Sequence, residues 1–318
     1  MNVAVGVDLG GTKIAVGLVA ADGAVRAQTR RETPDGPDAV VAAIADAVAE
    51  LGDEARGRPV GIGAAGFVDA GRRRVLFAPN LQWTDVPLAA QLSDRLGTPV
   101  ILENDANAAA WAEARFGAGA GADSMVLVTV GTGIGGGIVL DGRLVRGGFG
   151  VAGELGHLPL VPDGRPCGCG QSGCWEQYAS GTALTRAARD LVVTALAAGT
   201  GAEALVAACG GDPEALEGTH VQDAAAAGDP VAGELLADLG RWLGRGLAAV
   251  AAVLDPGVVV IGGGVAGNGD RLLEPARAEF RRRLPATGNR PEAEIRPARL
   301  GSAAGLVGAA DLAREAAT

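Results

Sequence analysis

Two copies of one pattern, a strand, a glycine-threonine turn and a second strand, stand about 120 residues apart in this 318-residue chain. Residues 3–7 alternate as a strand does and run into Asp8-Leu9-Gly10-Gly11-Thr12-Lys13. The β pattern resumes over 14–19 and turns back at Ala21-Asp22-Gly23. The same order returns at 125–130, Gly131-Thr132-Gly133 and 137–140, with Asp141-Gly142 as a hairpin signal. A repeat of this length predicts a duplicated α/β chain, each turn offering backbone N–H groups to the same cleft as an anion nest. Between the copies, the spacing predicts a helix over 38–51, with Val40, Val41, Ile44, Val48 and Leu51 on one face. A strand over 59–64, a loop over 66–83, a short buried strand over 99–102 and a helix over 106–116 stopped by Gly117 follow. A long amphipathic helix over 230–254 leads into a third glycine run, 258–264.

That third run competes with a different fold. Gly262, Gly264 and Gly267 fit the G-x-G-x-x-G of a dinucleotide domain, but only 51 residues follow Gly267, too few to complete one. Gly131, Gly133 and Gly136 fit the same expression, which shows how little it discriminates. No Walker loop is present, so a bound nucleotide would use separate glycine turns converging from several places.

Three of the four cysteines, Cys167, Cys169 and Cys174, fall within eight residues and follow His157, one of only two histidines. Glycines at 168, 170 and 173 allow tight turns. Three thiols and an imidazole are the ligand set of a closed, structural Zn²⁺ site. Disulfide and redox readings compete, yet Cys-x-Cys is too close for easy disulfide geometry and no signal peptide is visible. Cys209 stands far from the cluster and is read as inert.

Composition narrows the class. With 48% hydrophobic and 20% charged residues, the chain has core enough for two domains. The N-terminus has no basic leader and charges interrupt every later apolar run, so the expectation is a cytoplasmic protein without membrane association. A net charge of -10 opposes nonspecific nucleic-acid binding. Trp83, Trp111, Trp175 and Trp242 are read as core or interface anchors. Lys13, the chain's single lysine, is left without a role.

Asp8-Leu9-Gly10-Gly11-Thr12-Lys13, Glu103-Asn104-Asp105-Ala106-Asn107, the run 130–137, Gly153-Glu154-Leu155-Gly156-His157, and the segment Cys167-Gly168-Cys169-Gly170, Gly173-Cys174 and Glu176 closely resemble the ROK family of sugar kinases and repressors. The resemblance spans nearly the whole chain. It implies the actin-like ATPase duplication, two α/β domains with sugar and ATP in an interdomain cleft, which agrees with the internal repeat. The expected domains are a small one of residues 1–115 plus 300–318, and a large one of 116–299 carrying the zinc segment 154–176.

The resemblance also implies roles. Phosphoryl transfer to a hydroxyl needs a carboxylate to accept the proton, a metal to offset phosphate charge and dipoles to hold the phosphates. Asp105, where a strand gives way to a helix, is the candidate base; its ordinary reading is a helix N-cap. Asn104 would bond sugar hydroxyls. Asp8 would face Mg²⁺ and phosphates through water, with Gly10, Gly11 and Thr12 on one side and Thr132 and Gly133 on the other. Either turn alone reads as a plain hairpin tip. Gly263 and Gly264 would admit the adenosine. Glu154, His157 and Glu176 would hold the sugar ring, one nitrogen of His157 on zinc and the other on the sugar, although a lone Glu is usually solvated surface charge. Gly66 resembles the segment that closes over the sugar; Ala65 stands where the family often has proline, which leaves the shape of that loop open.

The expected activity is ATP-dependent phosphorylation of glucose at its 6-hydroxyl, the protein assembling as a homodimer or homotetramer. Kinases of N-acetylglucosamine, N-acetylmannosamine or fructose and polyphosphate-using glucokinases stand as alternatives. A sugar-sensing repressor is disfavoured by the acidic charge, by the intact Asp105 and by a first strand that begins too early for a preceding DNA-binding segment.

Overall fold

The computed structural model describes residues 3–317. Strand β1 (Val3–Leu9) is buried along almost its whole length, as a valine-rich central strand should be. β2 (Lys13–Ala20) returns antiparallel to it, placing Asp8 opposite Ala15, and β3 (Val25–Glu32) follows antiparallel to β2. Helix α1 (Pro37–Glu50) starts on its proline and buries Val40, Ile44, Ala47 and Val48, close to the predicted span. β4 (Val60–Ala64) then pairs parallel to β1.

Residues 66–83, expected as a loop, instead contribute to a small antiparallel sheet of β5 (Phe67–Val68), β6 (Val75–Ala78) and β7 (Trp83–Val86). Strands of two to four residues are too short for a period of two to declare itself. After α2 (Leu88–Leu96), β8 (Val100–Asn104) pairs parallel to β4 and leads directly into α3 (Asp105–Phe116).

The second copy consists of β9 (Met125–Val130), β10 (Ile134–Leu140) and β11 (Arg143–Leu144). β10 begins three residues earlier than expected, running through its glycines, on which α3 lies directly: a Cβ at Gly137 would stand 2.4 Å from that of Ala110. Helices α4 (Glu176–Ala179), α5 (Gly181–Ala198), α6 (Glu203–Ala208), α7 (Gly218–Ala226) and α8 (Pro230–Leu254) follow. α8 matches the predicted span; Pro230 opens it and the Asp229 carboxylate caps it by accepting from the Ala232 N–H at 2.7 Å. β12 (Val258–Gly262), α9 (Asp270–Arg283), β13 (Glu294–Pro297) and α10 (Ala304–Ala316) complete the chain.

The two five-stranded sheets run β3-β2-β1-β4-β8 and β11-β10-β9-β12-β13. Numbered within each copy, both read third, second, first, fourth, fifth, so the repeat seen in sequence is a repeat of topology. α10 packs onto the first sheet so closely that a Cβ at Gly61 would stand 1.8 Å from the Ala309 carbonyl. Only glycine permits that approach.

The chain divides into two compact units: residues up to Leu127 with Gly136–Gly153 and 298 onward, and Val128–Gly135 with Glu154–Pro297. Residues 116–127, 136–153 and 298–299 therefore group with the first unit, where the sequence reading gave them to the larger domain. The Glu113 carboxylate on α3 explains part of this, since it accepts from the backbone N–H groups of Ala118, Arg299 and Leu300 at 2.7 to 2.9 Å. Residues 1, 2 and 318, the outer ends of the expected small domain, lie outside the described residues.

Candidate active site

In the first unit the chemistry gathers at the carboxyl ends of β1 and β8. Asp8 has small neighbours on both flanking strands, Ala15 and Gly63. Gly305, in the first turn of α10, comes so near that a Cβ there would lie 3.2 Å from the Asp8 carboxylate. Burial, and then the charge of Asp105, push the Asp8 carboxyl up to about 6, while Arg30 pulls it down.

Asp105 is not the cap of α3. Asn104 is: its Oδ1 accepts from the Asn107 N–H at 3.0 Å, and Asp105 follows as the first helical residue. The Asp105 carboxylate is left with the adjacent Ala106 N–H at 2.9 Å, and burial raises its affinity for a proton against that bond. Asn104 is also a clamp, its Nδ2 donating to the Gly66 carbonyl at 3.1 Å. Gly66 has φ 151° and lies where a Cβ would meet the Phe77 carbonyl at 2.6 Å, so no other residue fits.

The Gly10–Lys13 turn closes with the Gly10 N–H donating to the Lys13 carbonyl at 3.0 Å. Thr33 fastens it from β3's end, its hydroxyl donating to the Gly10 carbonyl at 2.8 Å and its N–H to that of Thr12 at 3.0 Å. Thr12 itself is exposed.

The second unit carries the remaining candidates. His157, Cys167, Cys169 and Cys174 have ligand atoms that all lie within 4.8 Å of one another. His157 Nδ1 stands 3.7 Å from Cys167 Sγ, and the sulfurs of Cys169 and Cys174 are 3.6 Å apart. A tetrahedral zinc with bonds of about 2.3 Å sets ligand sulfurs roughly 3.8 Å apart, so the cage has the size of the ion. Burial pushes the Cys167 thiol up to about 12 and raises Cys174, while the Gln171 backbone N–H lowers Cys169. A divalent cation would supply the charge such buried thiolates need. Tight turns build the loop, with the Cys167 N–H donating to Gln171 O at 2.8 Å and Gly173, φ 77°, seated against the Val161 carbonyl.

The same cluster orients the carboxylates. With Nδ1 toward the sulfurs, His157 turns Nε2 to Glu154, 3.9 Å from its Oε2. Glu176 Oε1 lies 3.0 Å from Cys167 Sγ and 3.7 Å from His157 Nδ1. A Cβ at Gly133 would come within 2.7 Å of Glu176 Oε2, so the bare glycine of the second turn is what leaves room for that carboxylate. Glu154, His157, Glu176 and Gly133 thus form one neighbourhood.

Beside it opens a cavity of about 920 Å³, whose lining includes Gly131, Thr132, Gly264, Thr185, Gln222 and Asp190. The N-terminus of α5 faces the turn: the Gly181 N–H donates to the Gly131 carbonyl at 2.7 Å, and the Thr182 hydroxyl to that of Thr132 at 2.7 Å. Gly263, φ 87°, lies against the Val130 carbonyl at a distance only glycine tolerates. Thr132 and Gly264 line the cavity and Gly263 is next to Gly264 in the chain, while Gly133 is not among the lining residues; the sequence reading named all four for the nucleotide. It missed α5, α7 and their lining residues, for which the buried cap Ser180 before Gly181-Thr182 was the available signal. It also passed over Glu103, a buried acid whose only sequence mark was its place beside Asn104.

A profile of the ROK family matches residues 4–316. The chain is 49% identical to the glucokinase of Streptomyces coelicolor, over 99% of this chain and 98% of that one. Among solved structures, a ROK glucokinase from Streptomyces griseus in complex with glucose and AMPPNP aligns with a TM-score of 0.87 at 48% identity, covering 98% of this chain and 99% of that one. A ROK hexokinase from Thermus thermophilus aligns at 0.79 with 39% identity, covering 99% of each.

Proposed function

The chain belongs to the ROK family, with its actin-like ATPase duplication, and from that premise we propose how it works as a glucokinase, transferring the γ-phosphoryl group of ATP to the 6-hydroxyl of glucose. The observation that carries the chemistry is the position of Asp105: capping of α3 falls to Asn104, so this carboxylate is available as a base, and burial raises its proton affinity. Asp105 accepts the proton of the 6-hydroxyl as that oxygen attacks the γ-phosphorus. The bond from the γ-phosphorus to the bridging oxygen breaks, and ADP leaves with that electron pair.

In this reading the residues of each unit have their own roles. In the first, Asn104 and Gly66 hold the sugar beside Asp105, and Gly10, Gly11 and Thr12 offer their turn to phosphate. In the second, Glu154, His157 Nε2 and Glu176 accept or donate bonds to the sugar hydroxyls. Thr132 and Gly133 meet the phosphates; Gly263 and Gly264 border the nucleoside. The cavity of about 920 Å³ has the volume of a nucleotide-sized site. Asp8, with a second carboxylate beside it, suits a hard cation such as Mg²⁺, which when bound offsets the charge of the transferring phosphate. His157, Cys167, Cys169 and Cys174 would hold Zn²⁺, which when bound would brace the loop that presents His157 and Glu176. This reading further takes the protein to be a cytoplasmic homodimer or homotetramer; among the described residues no helix is long and apolar enough to cross a membrane.

The test is kinetic. Purified protein is assayed on glucose, mannose, fructose, N-acetylglucosamine and N-acetylmannosamine, each with ATP and with polyphosphate; glucose with ATP should give the highest kcat/KM. Asp105→Asn should lose at least about a thousandfold in kcat, of the order of a lost general base, while still binding glucose. A variant as active as the parent would sink the assignment of the base.

A further inference from the structure

We propose that Glu103 is a positioning residue of the sugar site, an inference that rests on the sugar-kinase reading above. Glu103 is 2% exposed, so its carboxylate cannot reach a substrate. It instead collects donors from three separate segments. Oε1 accepts from the Asn104 N–H at 3.1 Å and from Asn107 Nδ2 at 3.2 Å, both at the start of α3. Oε2 accepts from Arg146 Nε at 2.6 Å and has Arg72 Nε at 3.7 Å.

Both arginines belong to loops that border the candidate sugar site. Arg72 lies between β5 and β6 in a left-handed backbone conformation, φ 59°, which is uncommon for a residue with a side chain. Its Nε donates to the Leu102 carbonyl at 3.2 Å, and the Leu102 N–H donates back to the Arg72 carbonyl at 3.0 Å. That stitches the hairpin onto β8, and the hairpin follows directly from Gly66, whose carbonyl Asn104 holds. Arg146 opens the loop 146–152, which the Ala152 N–H closes onto the Arg146 carbonyl at 3.1 Å. Gly150 of that loop rests on the hairpin backbone: a Cβ there would stand 2.5 Å from the Val68 carbonyl. The loop then runs straight into Gly153-Glu154.

One buried carboxylate therefore joins the start of α3, the hairpin after Gly66 and the loop before Glu154. Neutralising it removes the carboxylate that joins the two arginines and strains the site, and Arg72 has a buried Nη2 that already lacks a partner. Relaxation of that strain displaces Asn104 and Gly66 together. Among the described residues the Gly10–Lys13 turn makes no hydrogen bond to any of these groups, so the nucleotide side is expected to shift less than the sugar side.

The experiment compares wild type, Glu103→Gln, Arg146→Met and the double variant. It measures KM for hexose and for ATP, kcat, hexose affinity by calorimetry without nucleotide, and Tm. Glu103→Gln is expected to raise hexose KM and Kd on the order of tenfold or more, as a sub-ångström misplacement does, with ATP KM within about twofold. Arg146→Met should act in the same direction, and the double variant should be no worse than Glu103→Gln, because both break one linkage. An unchanged hexose KM in folded Glu103→Gln, a parallel rise in both KM values, or additive effects would overturn the proposal. Should Glu103→Gln fail to fold, Arg146→Met decides alone, since that side chain is partly exposed. A wild type inactive on every hexose of the panel would overturn the kinase reading itself, whereas an active wild type with insensitive variants overturns only the positioning role.

Discussion

Asp8 shows how a residue's type was legible while its state was not. An aspartate ending a strand before a glycine turn pointed to phosphate chemistry, but the sequence contains no sign that Asp105 or Gly305 lies against it. Those neighbours place its folded pKa near 6, above the usual 3.8. Between roughly pH 4 and 6 the folded chain keeps a proton that the unfolded chain has lost, so Asp8 makes stability fall as pH rises through that window. Below it both states are protonated and nothing is gained or lost. Asp8→Asn should therefore stabilise metal-free protein at pH 7.5, on the order of 1 to 3 kcal/mol, with the difference closing below pH 4. Urea unfolding at several pH values checks this; a pH-independent difference would count against it. Asp105 teaches the complementary point. Its N-cap reading was reasonable for the residue type, and it fails because Asn104, one position earlier, already fills that place.

At the scale of elements, the cysteine segment proposed to hold zinc was read most fully, since Cys167, Cys169, Cys174 and His157 lie close in sequence and tight turns bring them together. Cys169→Ser is expected to lose zinc and raise glucose KM together, as measured by metal content and kinetics on one preparation. A zinc-free, folded variant with the parental KM would show that the cage does not support Glu176 and His157. α8 could be read from its apolar stripe and its Pro230, whereas α5, whose N-terminus borders the cavity, went unread although at 18 residues it is longer than α1 or α3. What α10 packs against lies beyond any local signal. Its Asp311 is buried and accepts from Trp111 Nε1 at 2.9 Å and Arg115 Nε at 3.2 Å, partners about 200 residues away, and pairs with Arg314. Arg314 in turn donates to the carbonyls of Val19 and Ala20 at 3.0 Å. Asp311→Ala strands a buried guanidinium, so a loss of about 3 to 5 kcal/mol is expected. A urea midpoint within error of the parent would rule out that role.

For the molecule as a whole, the two glycine turns proved to mark two sheets of one topology, a result already implicit in their spacing. Ligands of both kinds should stabilise it by mass action: glucose or a non-hydrolysable ATP analogue at a hundredfold its Kd should each add about 2.7 kcal/mol and raise Tm by a few degrees. Absence of any shift with either would contradict the functional reading. What could be derived from sequence alone was whatever depends on neighbours along the chain: strand and helix periods, the duplicated turns, the cysteine cage, and which carboxylates sit at strand ends. Those are set by backbone geometry and side-chain spacing, which act over a few residues. Only the tertiary structure decided which acids are raised by burial, that Asn104 rather than Asp105 caps α3, that Gly133 makes room for Glu176, and that Glu103 draws Arg72 and Arg146 to one point. Burial, close packing and charge pairing depend on distances in space, and residues a hundred positions apart acquire those distances only when the chain has folded.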